Sequence, residues 1–154
     1  MIQNSDRHAQ ELSGSARPTG RLLALDLGAR RVGAAVCDEM RLTVRPLPAI
    51  ARTNWKRLLG EIVALCQSFD AEGVVVGLPL NLDGTEGEAA LEARRIARNL
   101  SLSLNLPVHL QDERLTSRDA EQSLRSEGAT ESEVSARVDG EAAAIILSDF
   151  LAKV

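Results

Sequence analysis

Tyrosine is absent from this chain, and only Trp55, Phe69 and Phe150 supply aromatic rings. The core must therefore be filled by Leu, Val, Ile and Ala. The same scarcity disfavours a single-strand binder that stacks successive bases on a row of rings. Cysteine is nearly absent too: Cys37 and Cys66 form no CxxC pair and are too few for a disulfide framework. His8 and His109 stand far apart, which removes the His/Cys spacing of a zinc centre. No run of about 18 apolar residues occurs and no signal-peptide pattern is present, so a soluble, cytoplasmic protein with no membrane partner is expected.

A net charge of −4 excludes a simple basic nucleic-acid module, yet the charges are segregated. Residues 21–60 hold eight Arg/Lys against three Asp/Glu, and residues 61–154 hold eight against seventeen. Sixteen of the eighteen cations are Arg, whose planar fork matches phosphate oxygens better than an ammonium does. The pattern fits a polyanion gripped partly by Arg and partly through metal ions on carboxylates. It also fits an ordinary solvated surface.

With 154 residues, 44% of them apolar, the chain suits one compact domain. Residues 1–19 are polar and aperiodic and read as a disordered N-terminal tail, leaving 20–154 as the folded unit. Arg21–Leu27 and Val32–Cys37 are short apolar runs flanking a Gly/Arg turn, the pattern of a β-hairpin. Met40–Ile50 predicts a third strand. Pro46 and Pro48 confine it to a sheet edge.

The spacing of Trp55, Leu58, Leu59, Ile62, Val63, Cys66 and Phe69 predicts a helix capped by Thr53 or Asn54 and ended by Gly73, with Trp55 in the core. Val74–Leu78 is a continuous apolar strand of the kind found inside parallel sheets. A loop over 79–87 leads to a helix over Glu88–Leu104, and Val108–Gln111 is the fifth strand. Thr116 or Ser117 would cap a short helix closed by Gly128. Thr130–Ala136 reads as a polar loop and Val138–Leu151 as the final helix. The order β-β-β-α-β-α-β-α-α predicts an α/β fold. Its mixed five-stranded sheet would join an antiparallel meander to two parallel strands and be flanked by helices.

Three carboxylates stand out. Asp26 lies among Leu25, Leu27 and Ala24, where an unpaired charge costs several kcal/mol. An Arg or a metal must answer it, unless it sits at the strand end on turn amides. Asp112-Glu113 directly follows strand five, and Asp139 opens the last helix. Each has a bland explanation: Asp139 can face the positive end of the helix dipole, Glu113 can pair with Arg114 or Arg118, and Asp112 can bond turn amides. Together, at strand and helix ends, they point to a site. Acids meeting there need cations between them. Mg²⁺ or Mn²⁺ with oxygen ligands answers that need, two ions roughly 3.5–4 Å apart being the arrangement that clamps both oxygens of a phosphodiester. Strand alternation makes Glu113 the acid facing Asp26, and takes Asp112 to the other side with Val108 and Leu110.

Four ordered motifs carry a resemblance. They are Leu25-Asp26-Leu27-Gly28-x-x-Arg31-Val32-Gly33, Val76-Gly77-Leu78-Pro79-x-Asn81-x-Asp83-Gly84, Asp112-Glu113-Arg114-Leu115-Thr116 and Val138-Asp139-x-x-Ala142-Ala143. From about Gly20 onward the chain resembles the YqgF/RuvX family, bacterial Holliday-junction-resolvase-like proteins also described as pre-16S rRNA nucleases. The resemblance implies an RNase H-like nuclease domain with Asp26, Glu113 and Asp139 as catalytic and metal-binding acids. It departs at Ala29-Arg30, where the family usually has Thr-Lys, and at Ser135-Ala136-Arg137, where the family's loop is often longer and carries Lys.

Arg31 and Arg114 are the expected phosphate contacts, with Asn81 in a loop whose amides could hold a phosphate backbone or simply close a tight turn. The expected function is a metal-dependent endonuclease on structured nucleic acid, either an rRNA precursor or branched DNA, with a homodimer open. A non-catalytic RNA- or DNA-binding factor keeping the fold and the acids is the alternative. An actin-like phosphotransferase would need two such domains.

Overall fold

The computed structural model describes residues 18–113 and 131–154. Five strands, β1 (Leu22–Leu27), β2 (Arg31–Cys37), β3 (Val44–Ala51), β4 (Gly73–Leu78) and β5 (Val108–Asp112), form one sheet in the order β3-β2-β1-β4-β5. The first three pair antiparallel, while β4 joins β1 and β5 joins β4 in parallel. The meander plus two parallel strands agrees with the order expected from the sequence.

Among the described residues three helices cover the sheet: α1 (Trp55–Ser68), α2 (Glu88–Leu104) and α3 (Glu131–Leu151). Strand alternation assigns the faces. Leu23, Leu25, Val74 and Val76 point into a core shared with Leu58 and Ile62 of α1 and Ile96 and Leu100 of α2. Leu22, Ala24 and Val75 point the opposite way, onto Ile146 and Leu147 of α3. Burying each Leu, Ile or Val side chain contributes roughly 1.5–3 kcal/mol, so both faces hold their helices firmly.

Several boundaries differ from expectation. Strand β3 starts at Val44, because Asp38 takes over residues 38–43: its carboxylate accepts from the amides of Met40, Leu42 and Thr43 and closes a turn in which Arg41 is left-handed (φ 59°). The proline-bearing strand does lie at the edge. Asn54 caps α1, accepting from the Arg57 amide at 2.9 Å. Gly73 does not end that helix. Asp70, left-handed at φ 51°, ends it, and Gly73 opens β4, where a Cβ would sit 2.9 Å from Leu22 Cδ2.

Trp55 is 36% exposed rather than buried in the core. As the first residue of α1 it precedes the apolar stripe of Leu58, Ile62 and Cys66. Residues 131–136, read as loop, are helical. They contain no Gly or Pro, and their Glu and Ala are helix formers, so polarity alone misled the assignment. The tail over 1–17 and the short helix proposed between Thr116 and Gly128 lie outside the described residues. No helix among the described residues is long and apolar enough to cross a membrane.

Candidate active site

Asp26 belongs to the even-numbered series of β1, which faces α3. Its register partner across the ladder is Gly33. That glycine is required: a Cβ there would lie 2.6 Å from the Asp139 carbonyl carbon and closer still to its oxygen. The missing side chain lets α3 settle backbone-first onto β2. Gly140 does the same towards β3, where a Cβ would stand 3.0 Å from Pro46 Cβ and 3.2 Å from Leu47 O. Two glycines thus set Asp139 down beside the end of β1.

Glu113 arrives from the other side. Strand β5 alternates as expected: Val108 and Leu110 pack on the core under α1 and α2, while His109 lies against Phe150 of α3, ring centroids 5.0 Å apart. Gln111 and Glu113 continue that α3-facing series and are buried, whereas Asp112 is exposed. The Glu113 amide donates to Leu78 O at 2.9 Å, extending the β4–β5 pairing by one residue. A Cβ on Gly77 would come within 2.5 Å of Glu113 Oε2 and 2.6 Å of Ile146 Cδ1. Gly77 therefore clears the slot that the Glu113 carboxyl fills. From sequence, Gly77 reads only as the start of a stretch, Gly77–Asn81, whose amides could hold a phosphate or close a turn, and Gly33 has no evident role. An isolated glycine inside an apolar strand, signalling close approach, was the sign available.

The acids interact through Asp26. The Glu113 carboxyl is pushed up to about 10, first by burial, then by its hydrogen bond with Asp26 and by the nearby Asp26 charge. At neutral pH it holds a proton. Burial also raises Asp139, the Arg31 guanidinium lowers it, and Asp26 raises it again. Arg31 Nε lies 2.8 Å from Asp139 Oδ2. The approach is off the hydrogen-bonding direction, so that buried oxygen accepts no directed hydrogen bond.

Arg31, expected on phosphate, is thus set against an acid while 45% of its side chain stays exposed. Asn81 closes a turn: its amide and side-chain Nδ2 donate to Thr85 O and Oγ1, each at 2.9 Å, and Asp83 Oδ1 accepts from the Thr85 amide and hydroxyl. Arg114 lies outside the described residues.

Among the described residues no group of three or more His, Cys, Asp or Glu side chains is gathered tightly enough to hold a metal ion. The donor set nevertheless fits a hard divalent cation. It is all oxygen, Asp139 Oδ2 is buried without a directed partner, and the Asp26–Glu113 pair holds a proton that an ion would displace.

A β3-β2-β1-β4-β5 sheet with helices on both faces and carboxylates at the ends of β1 and β5 defines an RNase H-like protein. T. thermophilus RuvC in complex with Holliday junction substrate shares this fold, with a TM-score of 0.51 at 17% identity over 87% of this chain and 95% of that one. More particularly, the sequence model of the RuvX family, described as Holliday junction resolvase, matches residues 20–153, and the chain belongs to that family. Curated relatives from Syntrophus aciditrophicus (40% identical over 85% of this chain and 87% of its own) and Anaeromyxobacter sp. strain K (44% over 85% and 96%) carry the name "Putative pre-16S rRNA nuclease".

Proposed function

We propose that this chain is a divalent-metal-dependent endonuclease that hydrolyses phosphodiesters in structured nucleic acid. The observation that supports this is the position of Asp26 on the sheet face beneath α3, hydrogen-bonded to Glu113 and within electrostatic reach of Asp139. Folding gains nothing from setting acids against one another in a half-buried place, so the arrangement makes sense as a site that a cation would draw together.

Asp26 at the centre, Glu113 and Asp139 would hold one or two Mg²⁺ or Mn²⁺ ions. Bound there, the ions would supply charge neutralisation at the scissile phosphate and activation of water. The protein's own part is to position and to exchange charge. Gly33 and Gly140 let the Asp139 backbone seat closely on β2 and β3, and Gly77 leaves the slot for the Glu113 carboxyl. To serve as a ligand, Glu113 would have to give up the proton that its burial favours. Arg31, half exposed beside Asp139, can turn from that acid to a phosphate oxygen of the substrate strand.

The names of the curated relatives favour 5′-end processing of an rRNA precursor, and the family description favours a branched DNA junction. Either substrate belongs in the cytoplasm of a bacterium. Purified chain should be assayed on both, with Mg²⁺ or Mn²⁺ and with EDTA. Cleavage of one substrate that needs the ion and fails in Asp26→Asn supports the proposal. Binding without cleavage of either would leave the non-catalytic factor.

A further inference from the structure

Outside the acid site the most distinctive feature is a cavity of about 240 Å³ between the N-terminus of α1 and the flank of α2. It is lined by Arg52, Thr53, Asn54, Trp55, Arg95 and Asn99 over a floor of Leu58 and Ile96. In a chain of net charge −4, no carboxylate lines it. Arg52 is fixed in place, with Nη1 donating to Gly28 O at 2.9 Å and Nη2 paired with Glu92. Arg95 is exposed, and among the described residues no acid is paired with it. Trp55, the sole tryptophan, turns a third of its surface outward here instead of joining the core. The volume is below the roughly 300–1,000 Å³ of pockets that enclose drug-sized ligands and suits one flat ring system with a phosphate.

Its position relates it to the acids. Strand β3 runs parallel to β1, so Arg52, just past the end of β3, sits at the same end of the sheet as Asp26 and Glu113. The acids lie on the α3 side of the sheet and the cavity on the α1 and α2 side, with the β1–β2 turn at this same end. That turn carries Arg30, exposed and hydrogen-bonded through its carbonyl to the Arg52 amide at 2.9 Å, and Arg31 beside Asp139. A line of arginines therefore leads from the acid site around the sheet end into the cavity.

We propose that this cavity holds one nucleotide of a single-stranded segment of the substrate, next along the strand from the bond at the acids. The base stacks on the Trp55 indole, the Asn54 and Asn99 amides meet its edge, and the adjoining phosphate lies on Arg95. Scarcity of rings argues against a row of stacked bases, but one platform needs one ring. The proposal rests on the nuclease reading for its substrate and not for its test.

Trp55 reports on its own site, because no other tryptophan and no tyrosine contributes emission. The full chain in EDTA is titrated with a short single-stranded RNA, the matching DNA and free AMP, following Trp55 fluorescence. In parallel, anisotropy of an end-labelled oligonucleotide measures binding. Saturable quenching by RNA or DNA is expected, the stronger arm naming the strand. Arg95→Glu and Trp55→Ala should each weaken anisotropy-measured binding roughly tenfold with unchanged thermal melts, and Trp55→Phe should restore most of it. Binding without a change in emission, no binding at all, or quenching by AMP as strong as by the oligonucleotide would each overturn the strand subsite. Metal-dependent cleavage with silent Trp55 emission leaves the nuclease standing without this subsite. Quenching without cleavage under any metal keeps the subsite and removes the nuclease.

Discussion

Gly33 of β2 lies directly under the main chain of Asp139: any side chain at position 33 would run into that carbonyl group. The position of the third acid is thus decided by an atom that is missing more than a hundred positions earlier in the sequence.

Gly33→Ala should therefore damage stability and site together. The obstacle is backbone, which cannot rotate aside, so α3 must lift from the sheet. A loss of about 1–3 kcal/mol is expected from urea unfolding, with cleavage falling further than the folded fraction does. Wild-type stability and activity in this variant would show that the helix rides higher than described.

Glu113 and Asp112 should separate cleanly. The Glu113 pKa, pushed up to about 10, lies above the ordinary 4.5, so between these values the folded state keeps a proton that the unfolded chain has released. Stability of the metal-free protein should then fall as pH rises through that window. Glu113→Gln keeps a neutral hydrogen-bonding group toward Asp26. It should remove cleavage, retain the fold and flatten the dependence of melting temperature on pH. Asp112→Asn, at the exposed end of β5, should leave cleavage standing and act on stability. Paired activity and melting measurements decide it, and an active Glu113→Gln beside an inactive, folded Asp112→Asn would reverse the assignment.

Asp26→Asn should abolish cleavage in Mg²⁺ or Mn²⁺ without unfolding the protein. Asn is nearly isosteric and can still bond to Glu113, but its neutral amide is a poor ligand for a hard cation. EDTA should silence the wild type equally. Undiminished cleavage in either case, with contaminating nucleases excluded, would remove the metal site.

Arg31→Ala should act in opposite directions in two assays. Without the guanidinium 2.8 Å away, Asp139 has one competitor fewer, and Mn²⁺ should bind more tightly by calorimetry. Nucleic-acid binding should weaken, and the slope of log affinity against log salt should flatten by about one, as for one lost phosphate contact. An unchanged slope would confine Arg31 to its pairing with Asp139.

Most of the sheet was legible because strand signals are local: apolar runs, Gly-marked turns and paired prolines put β1, β2 and β3 in a meander with β3 at the edge. The α3-facing series of β5 was legible for the same reason, since alternation carries His109, Gln111 and Glu113 to one side. What stayed hidden depends on through-space contact. The role of Gly77 needs the Glu113 carboxyl beside it, and the Arg31–Asp139 pair spans more than a hundred positions of sequence. Trp55 misled because helical spacing counts it into the stripe. At the first position of α1 it overhangs the core instead. The start of α3 was missed because residues 131–136 are polar, and polarity marks exposure rather than the absence of a helix.

Helix α3 is the last described element to leave the ribosome, and it rests on strands made long before it. A nascent chain can pair β1 with β2 and β4 early, yet Asp26 meets no Asp139 until this helix seats over Gly33. If the acids work as proposed, the site stays incomplete until this helix docks, whatever has folded before it.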